Sequence, residues 1–200
     1  MTTLPFLSSA TLYDIGDIRV QFEPDVIRAR NLASLLASEM QFEKTTCIRI
    51  GTAVSELTRN IVEYARGGNV SFRIARRENA PDGVVITFSD HGPGIGELAL
   101  IEAGEYQSAT GMGVGLIGSK RLMDDFNILS KPGEGTTITT AKWLPRFSKT
   151  LSQQRIEEIR TAFGRTVERG DSSMVDTINA QNNELIYLLK IGRASCRERV

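Results

Sequence analysis

Two side chains on one predicted helix have the types and the spacing that phosphoryl chemistry needs. Glu56 and Asn60 are four residues apart, and Glu63 follows about two turns after Glu56, so an α-helix projects all three from one stripe. An Asn oxygen is a neutral, hard ligand that Mg²⁺ accepts beside phosphate oxygens, and a carboxylate one turn away can polarise a hydroxyl aimed at phosphorus. An ordinary solvated helix face has the same composition, so further segments must decide.

A second candidate segment is Asp90–Ile95, DHGPGI, which begins where a predicted strand ends. An Asp at a strand end can accept a hydrogen bond from an exocyclic amine such as adenine N6. Gly92 and Gly94 let the backbone approach a base and a ribose without a Cβ clash. The segment predicts a nucleoside pocket, and a plain turn is the alternative.

A third segment, GMGVGL at Gly111–Leu116, places three glycines directly before a predicted helix. Free backbone N–H groups and the helix dipole favour a phosphate at such a position. The preceding stretch, Glu97–Thr110, has mixed polarity and no clear period, so a mobile loop is expected there. A Gly-x-Gly-x-Gly sequence by itself is equally typical of a flexible linker.

The hydrophobic pattern predicts the elements that position these segments. Apolar residues at spacings of three and four predict two helices, and alternating β-branched residues predict strands joined by Pro-Gly turns. The expected elements are a strand over Ile18–Phe22, helices over Glu23–Met40 and Lys44–Ala65, a hairpin over 70–89, a helix over Leu116–Asp125 and a hairpin over 126–143.

The composition excludes several classes of protein. The chain has 200 residues, of which 40% are apolar, enough to bury the core of one domain. Lys and Arg total 24, as do Asp and Glu, so no net charge draws the chain to nucleic acid or to anionic lipid. Its two cysteines lack the spacing of a disulfide framework or a zinc site. Without a signal peptide or a transmembrane run, a cytoplasmic protein is expected.

The three segments together, in the order helix Glu/Asn, strand-end DxGxGI and glycine-rich lid, resemble the ATPase superfamily of gyrase, Hsp90, histidine kinases and MutL. Glu56–Asn60 matches its N box, Asp90–Ile95 its first glycine box and Gly111–Leu116 its second. Three stretches are more specifically similar to the anti-sigma-factor serine/threonine kinases of bacterial partner-switching systems, the RsbT type: Ser55–Ile61, Gly111–Gly115 and Lys120–Thr137.

The resemblance extends from about Ile18 to Trp143 and implies the Bergerat fold: an α+β, two-layer sandwich with a mixed, mostly antiparallel sheet and helices on one face. It implies ATP and Mg²⁺ as cofactors. By this similarity Glu56 is the catalytic base or orienting carboxylate, Asn60 is the metal ligand, and Asp90 recognises adenine. The other nucleotide contacts that it implies are Gly92, Gly94, Ile95, Gly111, Met112, Gly113, Val114, Gly115, Leu116 and Thr137.

The function implied by the resemblance is phosphorylation of a serine or threonine on a small STAS-domain protein, an anti-sigma antagonist. A phosphatase or another regulator of the sigma pathway is a further expected partner, and nucleic acid and membranes are not. Two alternatives stay open: an ATP-binding module of a larger, truncated sensor histidine kinase or signalling protein, and a non-catalytic, nucleotide-dependent interaction switch. His91, the only histidine, lies inside the predicted nucleotide loop, which argues against a phosphoacceptor role.

The chain is expected to divide into a kinase domain, residues 1–147, and a helical extension, residues 148–190, that begins a coiled coil or a truncated linker. The apolar seam over Val175–Leu189 fits either a dimer contact or a helix lying on the domain. Residues Ile191–Val200 back-translate into a sequence like a common sequencing adapter, which predicts non-native read-through. Trp143 and Phe147 are expected to pack near the sheet edge.

Overall fold

The computed structural model describes residues 4–96 and 112–170. The predicted mobile loop, the seam over Val175–Leu189 and the terminal ten residues lie outside them. The regular elements are β1 Ala10–Val20, α1 Glu23–Glu39, α2 Lys44–Asn60, a π-helical turn Ile61–Ala65, β2 Gly68–Arg77, β3 Gly83–Asp90, α3 Met112–Leu122, β4 Asp125–Lys131, β5 Gly135–Trp143 and α4 at 153–170. None of the described helices combines the length and the apolar character that crossing a membrane requires.

The five strands form one sheet in the order β1-β2-β3-β5-β4. Each neighbouring pair is antiparallel, so the described sheet holds none of the parallel pairings that a mixed sheet would have. Both predicted hairpins are confirmed, as β2–β3 and β4–β5. Because β5 returns from the edge to lie beside β3, the second hairpin extends the first into a continuous antiparallel sheet.

One face of the sheet is apolar and packs against the helical layer. Phe72 on β2 and Ile86 on β3 lie opposite each other and are fully buried, and Val70 pairs with Phe88 on the same face. Each such side chain stabilises the fold by about 1.5–3 kcal/mol when it leaves water. The apolar stripe predicted for the second helix consists of Cys47, Ile50, Val54, Leu57 and Ile61. The last four of these residues are buried and Cys47 is half-buried, so the stripe is confirmed.

The opposite face of the sheet holds a small apolar cluster at one end, in which Trp143 packs against buried Ala75, Val85 and Ala141. The indole N–H of Trp143 donates a 2.6 Å hydrogen bond to Asp125, on the neighbouring strand. The prediction that Trp143 packs at the sheet is therefore confirmed. The same prediction for Phe147 is wrong: this side chain is 96% exposed, because the chain leaves the sheet after Leu144.

Helix α4 packs on the sheet domain through three fully buried side chains, Ile156, Ile159 and Phe163. Arg155 joins it to the end of α1 by donating a 2.6 Å bond to the carboxylate of Glu39, and this bond raises the pKa of the Arg155 guanidinium. The first of two compact units runs from Met1 to Gly164 and the second begins at Arg165, while a domain boundary at residue 147 stays a prediction.

Replacing Phe163 by leucine is expected to lower the free energy of unfolding by about 1 kcal/mol. The Phe163 ring lies 5.0 Å from the Phe72 ring, centroid to centroid, and the smaller side chain would leave part of that contact unfilled. Urea unfolding followed by circular dichroism measures the change. Phe147→Leu is the matched control, because an exposed ring has little packing to lose. If Phe163→Leu unfolds like the parent, α4 does not belong to the cooperative unit.

Candidate functional site

A pocket between α2 and the ends of β3 and β5 gathers several residues that the sequence singles out. Its walls are mostly apolar, and four residues with a polar group in the side chain interrupt them: Asn60, Tyr64, Asp90 and Thr136. A narrow apolar slot with a few polar groups suits a flat heteroaromatic ring that has a polar edge. The larger aliphatic and aromatic wall residues include Leu57, Ile61, Phe88, Ile95, Leu116 and Ile138.

The carboxylate of Asp90 is held in place by backbone donors. Its Oδ1 accepts hydrogen bonds from the N–H of Gly92, at 2.8 Å, and from the N–H of Thr136, at 3.2 Å. No residue in the described parts of the chain donates to Oδ2. This second oxygen can therefore accept a hydrogen bond from a ligand in the slot, as an exocyclic amine would supply.

The glycines of the loop after β3 are required by close packing. A side chain at Gly92 would place its Cβ 2.6 Å from the Cβ of Ala65. Gly94 has φ +71°, and a Cβ there would overlap the carbonyl oxygen of Lys131. The two glycines therefore let the loop lie against both the π-helical turn and the β4–β5 turn. Gly94 and Ile95 line the pocket, and Gly92 shapes it through its bond to Asp90.

Two residues that support this loop are absent from the predicted site. Ser130 accepts a 2.8 Å bond from the N–H of Ile95, and Gly135, at φ +96°, lies so close to the Asp90 carbonyl that a Cβ would overlap it. The Pro-Gly-Glu-Gly turn between the last two strands signals a hairpin in the sequence. Nothing in the sequence around this turn predicts its contact with a loop some forty residues earlier.

Thr136 lines the pocket and Thr137 does not. Successive side chains on a strand point to opposite faces, so the two threonines separate. Thr136 Oγ1 lies 2.8 Å from Ser130 Oγ beside the slot, whereas Thr137 pairs with Ser89 on the other face of the sheet. The structure thus places Thr136 in the pocket wall and Thr137 outside it, while a nucleotide contact at either residue stays a prediction.

The helix predicted to reach Ala65 changes its winding at the site. Its α-helical part ends at Asn60, and Ile61–Ala65 form a π-helical turn. The wider turn rotates the residues after Asn60, so that Ile61 and Tyr64 face the pocket and Glu63 is exposed. The structure therefore brings Glu56 and Asn60 to the site but not Glu63.

The side-chain amide of Asn60 fits a metal-ligand role. Its Nδ2 is buried and has no hydrogen-bond partner among the described residues, which is unusual for a polar group in a pocket wall. The oxygen of the same amide is a hard, neutral ligand of the kind that Mg²⁺ binds. Residues 4–96 and 112–170 contain no cluster of three or more acidic, histidine or cysteine side chains that could cage an ion. A single Asn ligand suits Mg²⁺, which keeps waters and phosphate oxygens as its other ligands.

Glu56 lies one helical turn before Asn60, outside the apolar slot. Its Oε1 accepts a 3.1 Å bond from Arg59, whose Nε is also 3.7 Å from Glu23. Its Oε2 faces the start of α3, where a Cβ added to Gly115 would lie 3.1 Å away. Glu56 is thus restrained by an arginine on one side, and its other oxygen lies where the glycine-rich segment joins the helix.

The structure tests only part of the predicted glycine-rich segment. Gly111 lies outside the described residues, and at the start of α3 the side chains of Met112 and Val114 do too. Leu116 is 3% exposed and lines the slot. Its position, with that of Gly115 beside Glu56, brings the second half of the segment to the site.

Comparison with known proteins gives two matches. Residues 46–146 match the family described as "Histidine kinase-, DNA gyrase B-, and HSP90-like ATPase". The chain is also similar to "Serine/threonine-protein kinase RsbT" of Bacillus subtilis (strain 168), with 40% identity over 132 residues, which are 66% of this chain and 98% of that protein. The family match contains every residue of the pocket wall, from Leu57 to Ile138.

Proposed function

The chain belongs to the histidine kinase-, DNA gyrase B- and HSP90-like ATPase family, and we propose that it is a Mg-ATP-dependent serine/threonine protein kinase of the partner-switching type. The observation that carries this proposal is one site with three complementary groups. Asn60 offers an amide whose Nδ2 has no hydrogen-bond partner among the described residues, Asp90 offers a carboxylate that a backbone donor holds in place, and Glu56 lies one turn before Asn60. The name of the relative supports the choice of reaction.

Recognition of the nucleotide begins with the base. Asp90 Oδ2 accepts a hydrogen bond from the adenine amine, while the apolar walls of the slot exclude water from the ring. Gly94 keeps the loop close to the base, since a side chain there would push against Lys131. A carboxylate in this position favours an amino group on the purine over a carbonyl oxygen, which would face it lone pair to lone pair.

The triphosphate lies between Asn60 and the N-terminus of α3 in this proposal. The amide oxygen of Asn60 would hold Mg²⁺, which neutralises phosphate charge and orients the terminal phosphoryl group. Backbone N–H groups at the start of α3, at Met112, add the positive end of the helix dipole. Most of the rate enhancement then comes from positioning and charge neutralisation.

Glu56 acts on the hydroxyl of the acceptor. Its Oε2 orients the serine or threonine O–H and takes the proton as the oxygen bonds to the γ-phosphorus and the bond to the ADP oxygen breaks. Arg59 occupies Oε1, so the second oxygen is the one available to the acceptor. We assign the acceptor to the class of small STAS-domain regulatory proteins, in line with the partner-switching type.

The proposal is tested by phosphoryl transfer from radiolabelled ATP in the presence of purified STAS-domain proteins from the same genome, with the modified residue mapped by mass spectrometry. Label on a serine or threonine is expected, and Glu56→Gln is expected to remove transfer while leaving ATP binding intact. Glu63→Gln is the matched control, an exposed glutamate seven residues later. Label on a histidine, or binding without any transfer, would favour the alternatives of a histidine kinase module or a non-catalytic switch.

Gly115→Ala is expected to lower the rate of transfer about tenfold and to change ATP affinity little. The new Cβ would lie 3.1 Å from Glu56 Oε2, so the carboxylate must move by a few tenths of an ångström, and misplacement of that size affects the transition state more than the bound nucleotide. Gly118→Ala, on the same helix with no atom within 4 Å of the new Cβ, is the control. Equal rates in the two variants would contradict the position given to Glu56.

A further inference from the structure

A polar cleft of ≈ 400 Å³ lies at the end of the sheet, on the outer side of the loop that follows β3. Its side chains are Arg19, Gln21, Arg66, Asn69 and His91, around the backbone of Gly67 and Gly68. None of these side chains has a role in the proposed kinase reaction. None of the described residues that line the cleft carries a carboxylate, and its arginine, amide and imidazole side chains all offer N–H donors.

The strand register explains why these residues converge. Arg19 and Asn69 are directly paired across β1 and β2, which places their side chains side by side on one face. Arg66 follows the π-helical turn in the left-handed conformation, at φ +58°, and Gly67 continues the bend at φ +137°. Gly68 pairs with the last residue of β3, so His91 is brought to the same edge.

The arginines of the cleft lack acidic partners. In the described parts of the chain neither Arg19 nor Arg66 forms an ion pair, and both are exposed. By contrast, Arg59, Arg73 and Arg155 each pair with a carboxylate. Two unneutralised guanidinium groups in one concave site create a local positive potential on a chain whose formal net charge is zero.

The cleft and the nucleotide pocket lie on opposite sides of two shared backbone segments. Ala65 and Asp90 line the pocket, and the residues that directly follow them, Arg66 and His91, line the cleft. The cleft is therefore a separate site that stands next to the base-recognition loop. A ligand in it would contact the backbone that holds Asp90 without entering the slot.

We propose that this cleft binds a phosphate group. Two guanidinium forks, two side-chain amides and an imidazole supply more donors than the two oxygens of a carboxylate can use, whereas a phosphate presents three or four oxygens and a double negative charge. The ligand class is thus orthophosphate or a phosphomonoester such as phosphoserine. This proposal does not depend on kinase activity.

His91 provides the readout, because it is the only histidine in the chain and its ring protons give resolved NMR signals. Orthophosphate is titrated into the full chain at constant pH and ionic strength, with and without a saturating non-hydrolysable ATP analogue. A saturable shift of the His91 signals is expected in both titrations. A linear or absent shift overturns the proposal, and a shift abolished by the analogue shows that phosphate binds the nucleotide site instead.

Arg19→Gln and Arg66→Gln are each expected to weaken phosphate binding about tenfold or more, because each removes a charge-assisted hydrogen bond. Both side chains are exposed, so the fold should persist, and a thermal unfolding curve verifies it. Arg146→Gln is the control, an exposed arginine after β5 that changes net charge equally. Equal weakening by all three variants would indicate general charge attraction and overturn a defined site.

Parallel titrations with blocked phosphoserine, blocked serine and acetate distinguish the ligand sources. Phosphoserine binding at least as tightly as orthophosphate supports a phosphorylated protein segment as the ligand. Orthophosphate binding alone supports the free ion, because the cleft would then reject the ester. Acetate binding as tightly as either phosphate would overturn the phosphate assignment, since two oxygens would then satisfy the donors.

Discussion

Asn60→Ala is expected to lower Mg²⁺-dependent phosphoryl transfer by about 10²–10³-fold, the largest loss expected for any side chain that binds the nucleotide or its metal. The amide oxygen of Asn60 is the proposed protein ligand of the metal, and alanine removes it. The Nδ2 of Asn60 has no hydrogen-bond partner among the described residues, so the substitution breaks no hydrogen bond at that atom and the fold should persist. Asn60→Asp, which keeps an oxygen donor at the same place, is expected to retain part of the activity.

Calorimetry separates the metal role of Asn60 from a role in binding the base. The parent should bind an ATP analogue more tightly with Mg²⁺ than without it, and Asn60→Ala should lose this increment while its Mg²⁺-free affinity changes little. Asn127→Ala is the matched control, an asparagine on β4 opposite Thr139, outside the pocket. Transfer that is unchanged in Asn60→Ala would refute the assigned metal role.

Asp90→Asn is expected to weaken ATP binding by about 100-fold, the largest loss of nucleotide affinity expected at the site. The amide oxygen of asparagine can still accept the N–H bonds of Gly92 and Thr136, so the loop should keep its geometry. The amide NH₂ group then replaces Oδ2. Because this group and the adenine amine are both hydrogen-bond donors, no hydrogen bond can form between them. The loss therefore concerns recognition of the base and not folding.

Inosine triphosphate distinguishes a loss of base recognition from a loss of folding, because its purine carries a carbonyl oxygen where adenine carries the amine. Asp90→Asn is expected to bind it relatively better than the parent does, since the new NH₂ group can donate to that oxygen. Asp17→Asn, at an exposed position on β1, is the control and should bind both nucleotides like the parent. If Asp90→Asn weakens both nucleotides equally, or binds ATP with parent affinity, Asp90 does not recognise the base.

Local patterns in the sequence were sufficient to predict the elements that form the site. The spacing of apolar residues in α2 sets which stripe is buried, and the four-residue interval then places Glu56 and Asn60 on neighbouring turns. Asp90 is the last residue of β3, one position beyond the strand end that the alternating pattern predicted. These features are readable because helix and strand periods depend on residues close together in the chain.

Only the tertiary structure decided which neighbouring side chain enters the pocket. Thr136 lines the pocket and Thr137 does not, although they are neighbours in the chain. Neighbouring side chains on a strand point to opposite faces of the sheet, so a shift of one residue decides which of them enters the pocket. Glu63 leaves the site because the helix changes to π-helical winding after Asn60, where the turn packs against Gly92. The residues next to these positions in the sequence predict neither feature, because each depends on packing between segments that are distant in the sequence.

The same reason accounts for the supporting contacts that the sequence did not reveal. Ser130 and Gly135 belong to the β4–β5 hairpin, yet they hold the loop after β3, and their roles arise only when the strands pair. Phe163 and Phe147 are both aromatic residues beyond or at the edge of the predicted domain, but one is buried on the sheet and the other is exposed. The sequence by itself determined the elements and the chemical groups, while long-range packing determined which of those groups meet.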